Sequence, residues 1–289
     1  MKNILITGAN GLIGNELIRE LKDSYTVYAV SRTNPNIDSE NVIFIRQDLT
    51  SPWNIGVLPK KIDAIYHLAQ SENFRDFPEK SNDIFHVNTT STLNLLEYAR
   101  KAGCKKFIYA SSGGVYGTND KSFAEDTPII NHGKLGFYLS TKLCSELLVE
   151  NYAAAFDVII TRFFFVYGKR QDKTMLIPRL VLNVRNNNPI TLQGKEGIKI
   201  NPIHVSDAAR ALFKILQTEG SQKFNIGGNE ILSLKQIGET IGEQLNKEPV
   251  FLYDNNVANH LIGDIRKMKD LLASPQQGIK MGIEELINN

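Results

Sequence analysis

Thr7-Gly8-Ala9-Asn10-Gly11-Leu12-Ile13-Gly14 follows a short apolar run, Ile4-Leu5-Ile6, and leads into Leu17, Ile18 and Leu21 at helical spacing. A strand, a glycine turn and a helix in that order form a unit whose helix N-terminus can receive a phosphate. Gly8 permits the tight turn, Gly11 lets the backbone approach a pyrophosphate, and Gly14 lets helix and strand pack closely. Asn10, Leu12 and Ile13 complete the loop and its first helical turn, so they are expected beside the same ligand.

The pattern repeats along the chain. Strand-like runs occur at Ile4–Ile6, Thr26–Val30, Val42–Ile45, Ala64–Leu68, Phe107–Ala110 and Val158–Ile160, with helical stretches such as Leu93, Leu96, Glu97 and Arg100 between them. That rhythm predicts a doubly wound α/β fold, a parallel Rossmann sheet with ligand sites at the carboxyl ends of its strands. After Gly168 the elements shorten and mix, punctuated by Pro178, Pro189, Pro202 and Pro249. Residues 1–168 are therefore expected to bind a dinucleotide and residues 169–289 to form a smaller, mixed substrate lobe. Residues 200–228 are expected to return to the main sheet, with Ala208–Leu216 packing on it.

Bulk properties exclude several classes. The 289 residues are 42% apolar and 22% charged, which suits a globular domain of this size. A formal net charge of +2, from 33 basic and 31 acidic residues, gives no footprint for nucleic acid or an anionic membrane surface. The apolar start ends at Thr7-Gly8, too early for a signal peptide, and no run reaches bilayer length. Cys104 and Cys144 lie outside any CxxC spacing and read as thiols of a reduced, cytoplasmic protein.

The end of the second strand bears on the coenzyme. A carboxylate there would bond the ribose 2′-hydroxyl of NAD, but the sequence runs Val30-Ser31-Arg32. A hydroxyl followed by a guanidinium suits a 2′-phosphate, so NADP(H) is favoured, with NAD(H) left open. Arg32 can equally be read as a solvated loop residue.

Tyr138 and Lys142 stand four apart in a helical stretch and share one helix face. An ammonium beside a phenol favours phenolate and makes it a usable acid or base near neutrality. Such pairs arise by chance, so their context matters. The fifth strand ends Tyr109-Ala110-Ser111-Ser112-Gly113-Gly114-Val115-Tyr116-Gly117, which points serine hydroxyls into the ligand crevice. Either serine can also cap the next segment, while the glycines suit close approach of a ligand.

With these motifs the chain resembles the extended short-chain dehydrogenases, the NAD(P)-dependent nucleotide-sugar epimerase, dehydratase and reductase family. The resemblance runs nearly the whole length. It is carried by TGANGLIG (7–14), QDLT (47–50), HLAQ (67–70), Val87-Asn88 to Asn94-Leu95-Leu96, SSGGVYG (111–117), YLSTK (138–142), RFFFVYG (162–168), PIHVSDAARA (202–211), FNIGG (224–228) and GDIRKMKDLL (263–272). It implies that Asp48, with Leu49 beside it, contacts the adenine and that Leu68-Ala69 lines the coenzyme path. It implies that Lys142 binds the nicotinamide ribose, Tyr138 exchanges a proton at the sugar oxygen and Ser112 orients that oxygen. His67 and His204 fall in motifs of structural character, and no histidine spacing suggests a metal site.

The same resemblance narrows the reaction. Related 4,6-dehydratases carry an Asp-Glu pair after the serine, where this chain has Gly113-Gly114; the cysteine of GDP-fucose-forming enzymes is missing from position 114 as well. Net reduction of a keto sugar, commonly a 4-keto-6-deoxy sugar nucleotide, is expected first; NAD-dependent 4-epimerisation is the alternative, and a non-catalytic NADP sensor is the second. An arginine that related epimerases place before the IHV segment is replaced by Ile200, and a second expected before GDI is missing from the stretch Tyr253-Asp254-Asn255-Asn256. Arg179, Lys195, Lys199 or Arg266 could compensate, and a substrate without a nucleotide stays open. Family members often pair as homodimers through helices corresponding to Thr89–Lys101 and Tyr138–Ala155.

Overall fold

The computed structural model describes residues 2–51, 53–130 and 132–288. Met1 and Asn289, the outer ends of the two expected units, lie outside that set. The chain begins β1 (Asn3–Thr7), α1 (Leu12–Leu21), β2 (Thr26–Ser31), β3 (Val42–Arg46) and β4 (Ala64–His67). A long helical segment follows: α2 (Ser81–Phe85), a π-helical turn over His86–Thr90, and α3 (Ser91–Lys101). Then come β5 (Lys106–Ser112), α4 (Gly136–Asn151), β6 (Asp157–Phe163), β7 (Val166–Tyr167), α5 (Leu176–Arg185), β8 (Ile190–Gln193), β9 (Lys199–Ile200) and β10 (Ile203–His204). The chain ends with α6 (Val205–Ile215), β11 (Gln222–Ile226), β12 (Leu232–Ser233), α7 (Leu234–Leu245), β13 (Phe251–Asp254), α8 (Arg266–Leu271) and α9 (Ile279–Ile287).

Seven strands form one parallel sheet in the order β11-β6-β5-β4-β1-β2-β3. The period-two alternation of the strands sends Ile4 and Ile6 to one face and Leu5 to the other, so the sheet feeds two cores. One core packs against α1 and α6 through Leu17, Ile18, Leu21, Ala208 and Leu212. The other packs against α3 and α4 through Leu95, Leu96, Ala99 and Val149. Each fully buried leucine or isoleucine contributes roughly 1.5–3 kcal/mol of burial. Strand order reverses between β1 and β4, and a crevice opens at their carboxyl ends.

β5 extends two residues beyond the run read from the sequence, which places Ser111 and Ser112 at its end. Within the 200–228 region, β11 pairs with β6 at one edge of the main sheet, α6 packs against α1, and β10 pairs with β7 in a separate two-stranded sheet. The remainder has its own core of Tyr167, Ile177, Val181, Leu192, Ile237, Ile241 and Ile283. It is more helical than the sequence suggested, because α5 and α7 run ten and twelve residues around strand pairs only two to four residues long. α7 starts at a Ser233–Gln236 capping box, a signal present in the sequence.

α4 inverts the usual pattern. Its buried face carries Thr141, Lys142, Ser145 and Glu146, while Leu147 is exposed. The Glu146 carboxylate accepts two hydrogen bonds from Arg162 of β6, at 3.0 and 2.6 Å, with both side chains buried. Such a pair is satisfied only as a pair, so it ties α4 to the sheet.

Candidate active site

The glycine loop fits a ligand that must approach backbone. A Cβ on Gly8 would lie 2.8 Å from Ala69 N, and one on Gly14 would lie 2.3 Å from Gly8 O. Gly8 also has φ +70°, which favours glycine. The register pairing Thr7 with His67 sets Gly8 against Leu68-Ala69 at the reversal point. Beneath them His67 is buried, its ring nitrogens 2.7 Å from Thr7 Oγ1 and 3.0 Å from Thr92 Oγ1, and burial lowers it to about 3. A neutral imidazole therefore braces β1 against α3.

A cavity of about 300 Å³ opens above this reversal point. Of the expected coenzyme residues, Gly8, Asn10, Gly11, Ser31, Arg32, Asp48, Leu49, Leu68 and Ala69 line it. Leu12, Ile13 and Gly14 do not: they lie in the first turn of α1, where Gly14 is buried under Gly8 and Leu12 faces a neighbouring depression. The Asp48 carboxyl is lowered first by a hydrogen bond from Thr50 N, at 3.0 Å.

Arg32 is not available in the way the sequence suggested. Its guanidinium donates two hydrogen bonds to Glu72, at 2.8 and 2.7 Å, across the cavity. Glu72 is held below the usual carboxylate range by that bond. Ser31 donates to Thr33 O at 2.6 Å.

Ser112, Tyr138 and Lys142 do not line the cavity themselves; Tyr138 reaches it through Gln70. Lys142 is buried and donates to Ala110 O at 2.8 Å, two residues before Ser112. Tyr138 donates to Gln70 Oε1 at 2.9 Å, and Gln70 itself lines the cavity. Ser112 accepts from Gly114 N at 3.1 Å, so it caps the turn after β5. The four-residue spacing does put Tyr138 and Lys142 on one face, with Nζ 6.0 Å from the phenol ring. The expected lowering of the phenol does not follow in this arrangement. Burial pushes Tyr138 up, and the same burial pushes Lys142 down to about 7, which weakens the cation meant to oppose it.

Gly113 and Gly114 carry no side chain that could act as acid or base. A Cβ on Gly113 would meet the Phe164 ring at 2.6 Å, and one on Gly114 would meet Leu139 at 2.9 Å. Removing the Ser112 hydroxyl is expected to cost roughly 1–3 kcal/mol of activation energy, or about 5- to 150-fold in turnover. Steady-state rates of Ser112→Ala against the parent check this.

Four contributors escaped the sequence reading. Gln70 and Glu72 follow β4 and meet Tyr138 and Arg32 only in the fold. Asn88, in the π-helical turn, accepts from Ser71 N and donates to Thr141 Oγ1, which joins the loop after β4 to α4. Arg170 donates to Asn15 at 2.7 Å and to Asn10 at 3.3 Å, linking the segment after β7 to the glycine loop. Gln70 and Asn88 lay inside quoted motifs; Glu72 and Arg170 had no local signal. Of the alternative cations, Arg266 is paired with Asp264, and Arg179, Lys195 and Lys199 are exposed. Ile200 is fully buried, opposite Leu232 and Leu261.

Residues 4–227 match the model of the NAD-dependent epimerase/dehydratase family. The chain belongs to that family. It is an enzyme of the extended short-chain dehydrogenase type, and the family is NAD(P)-dependent. It is 29% identical over 312 residues to the dTDP-4-dehydro-6-deoxyglucose reductase of Escherichia coli, covering 99% of this chain and 96% of that protein. It is also 29% identical over 307 residues to the UDP-glucuronate 4-epimerase of Thermodesulfobacterium geofontis, covering 98% and 94%. Among solved structures, MoeE5 in complex with UDP-glucuronic acid and NAD superposes with a TM-score of 0.85 at 30% identity, covering 99% of this chain and 98% of the other. The UDP-glucuronic acid 4-epimerase of Bacillus cereus, with UDP-glucuronic acid and NAD, gives 0.87 at 26% with the same coverage. Among the described residues no helix is long and apolar enough to cross a membrane.

Proposed function

We propose that the enzyme is a nucleotide-sugar 4-epimerase that retains NAD. The observation that carries this reading is the Arg32–Glu72 pair, which engages the one cation at the place a 2′-phosphate needs. The absence of an acid–base side chain at Gly113 and Gly114 argues against dehydration, which needs such groups there. Similarity to 4-epimerases and to NAD complexes points the same way.

In this reading the glycine loop, Asp48 and the Leu68-Ala69 backbone hold the coenzyme, and Lys142 holds its nicotinamide ribose. When bound, the coenzyme supplies a reversible hydride acceptor. Once ionised to the phenolate, Tyr138 Oη would take the proton from the sugar hydroxyl and return it after the keto sugar has rotated. Ser112 Oγ bonds the same oxygen and fixes its position. Lys142, moving from Ala110 O towards the phenol, would stabilise the phenolate that must form before Tyr138 can accept that proton. Residues 1–168 with 200–228 serve as the coenzyme unit and the remaining C-terminal residues as the substrate lobe, supported by the separate lobe core. Exposed Leu93 and Leu147 on α3 and α4 support a homodimer, and two unpaired cysteines support a cytoplasmic setting.

Reduction of a keto sugar nucleotide by NADPH is the second reading. It is favoured by Ser31-Arg32 at the end of β2 and by similarity to the E. coli reductase. Acid extraction of the purified enzyme separates the two. The epimerase is expected to release about one equivalent of NAD and to interconvert two sugar-nucleotide epimers with no net change at the nicotinamide absorbance. Stoichiometric consumption of added NADPH with a keto-sugar nucleotide would instead establish the reductase.

A further inference from the structure

Glu72 belongs to none of the motifs that suggested a coenzyme site, yet its carboxylate spans that site. The segment carrying it is pinned on both sides. Ser71 N donates to Asn88 Oδ1 at 2.9 Å, Ser71 Oγ donates to Asp83, and Asn73 N donates to Ser71 Oγ at 3.1 Å. These bonds hold the backbone after β4 against the α2–α3 segment and aim the side chain between them across the crevice. There it meets Arg32 in a bidentate, fork-to-fork geometry, the arrangement a guanidinium also makes with phosphate.

We infer that Glu72 sets the coenzyme choice of this enzyme, its carboxylate occupying Arg32 where the 2′-phosphate of NADP(H) would bind. This rests on the reading of the cavity as a dinucleotide site and adds the residue that discriminates between the two dinucleotides. The rest of the lining acts in the same direction. Asp48, Glu72 and Asp83 set three carboxylates against a single guanidinium, so a further dianion enters an already negative cavity. Ser31 has its proton committed to Thr33 O and has none to offer a phosphate oxygen in this arrangement. NAD(H), with a neutral 2′-hydroxyl, requires neither that Glu72 leave nor that the surplus negative charge be met. The mask is a weak one: both side chains are more than half exposed, and ion pairs of that kind are screened by salt.

Removing the mask should therefore uncover a latent NADP site. Wild-type enzyme, Glu72→Gln, and Glu72→Gln combined with Arg32→Gln would be titrated with NADH and NADPH by nicotinamide fluorescence, at low and high salt. Wild type is expected to bind NADH more tightly. Glu72→Gln is expected to tighten NADPH about tenfold while moving NADH by less than about twofold, with the gain smaller at high salt. In the double variant the gain should vanish, because the guanidinium that receives the phosphate is gone. A wild type that prefers NADPH, an unchanged coenzyme ratio in Glu72→Gln, or a gain that survives loss of Arg32 would each overturn the assignment while leaving the cavity as a coenzyme site. Failure of both coenzymes to bind any of the proteins after removal of retained coenzyme would overturn the coenzyme reading and this inference together.

Discussion

Tyr138→Phe is expected to lower turnover about a hundredfold or more while leaving coenzyme affinity within about twofold. The phenol is the acid–base group proposed for the substrate oxygen, and phenylalanine keeps the ring but carries no proton. The ring packs against Phe74 at a centroid distance of 5.1 Å, a contact the substitution preserves. The hydrogen bond to Gln70 Oε1 is the only side-chain bond lost, and it lies at the edge of the cavity rather than in the core. Thermal stability should therefore change little. Measuring kcat beside a coenzyme titration checks both halves, and near-normal kcat would remove Tyr138 from the chemistry.

Lys142→Met is expected to go further in activity and in the opposite direction in stability. Turnover should fall at least about a hundredfold, since the group proposed to hold the ribose and support the phenolate is lost. Stability at neutral pH should rise, on the order of a kcal/mol or more. In the unfolded chain a lysine keeps its proton to about pH 10.5, whereas burial in the fold releases it near 7. Between those values the unfolded state binds more protons than the folded one, so stability rises with pH across that window. Methionine fills similar volume over the Tyr109 ring, where Nζ now sits 5.3 Å from the centroid, and should abolish that part of the pH dependence. Melting temperatures of both proteins from pH 7 to 10 test this; equal slopes would mean that Lys142 is not a strained cation in the ligand-free enzyme.

The strands and turns of the first 165 residues were legible because each is specified by neighbours in sequence. Alternating apolar residues make strands, and a glycine triplet after the first of them can hardly be anything but a phosphate-ready turn. The Tyr138–Lys142 spacing was legible for the same reason, as a helix brings residues four apart to one face. The C-terminal lobe was less so. Its strands are as short as two residues, too short for any period to appear, and its helices hold together through a core drawn from five or more separated segments.

What the sequence could not give is how the charges meet. By itself it determined a parallel doubly wound sheet and a glycine loop at its first strand, since local spacing and strand ends dictate these, and it pointed through family resemblance to Ser112, Tyr138 and Lys142. Only the tertiary structure decided that Arg32 faces Glu72, forty residues away, and that Lys142 is buried deeply enough to approach neutrality. Ion pairing and desolvation depend on distance and on exclusion of water, and neither exists until β1, β2 and β4 lie side by side and α4 closes over β5.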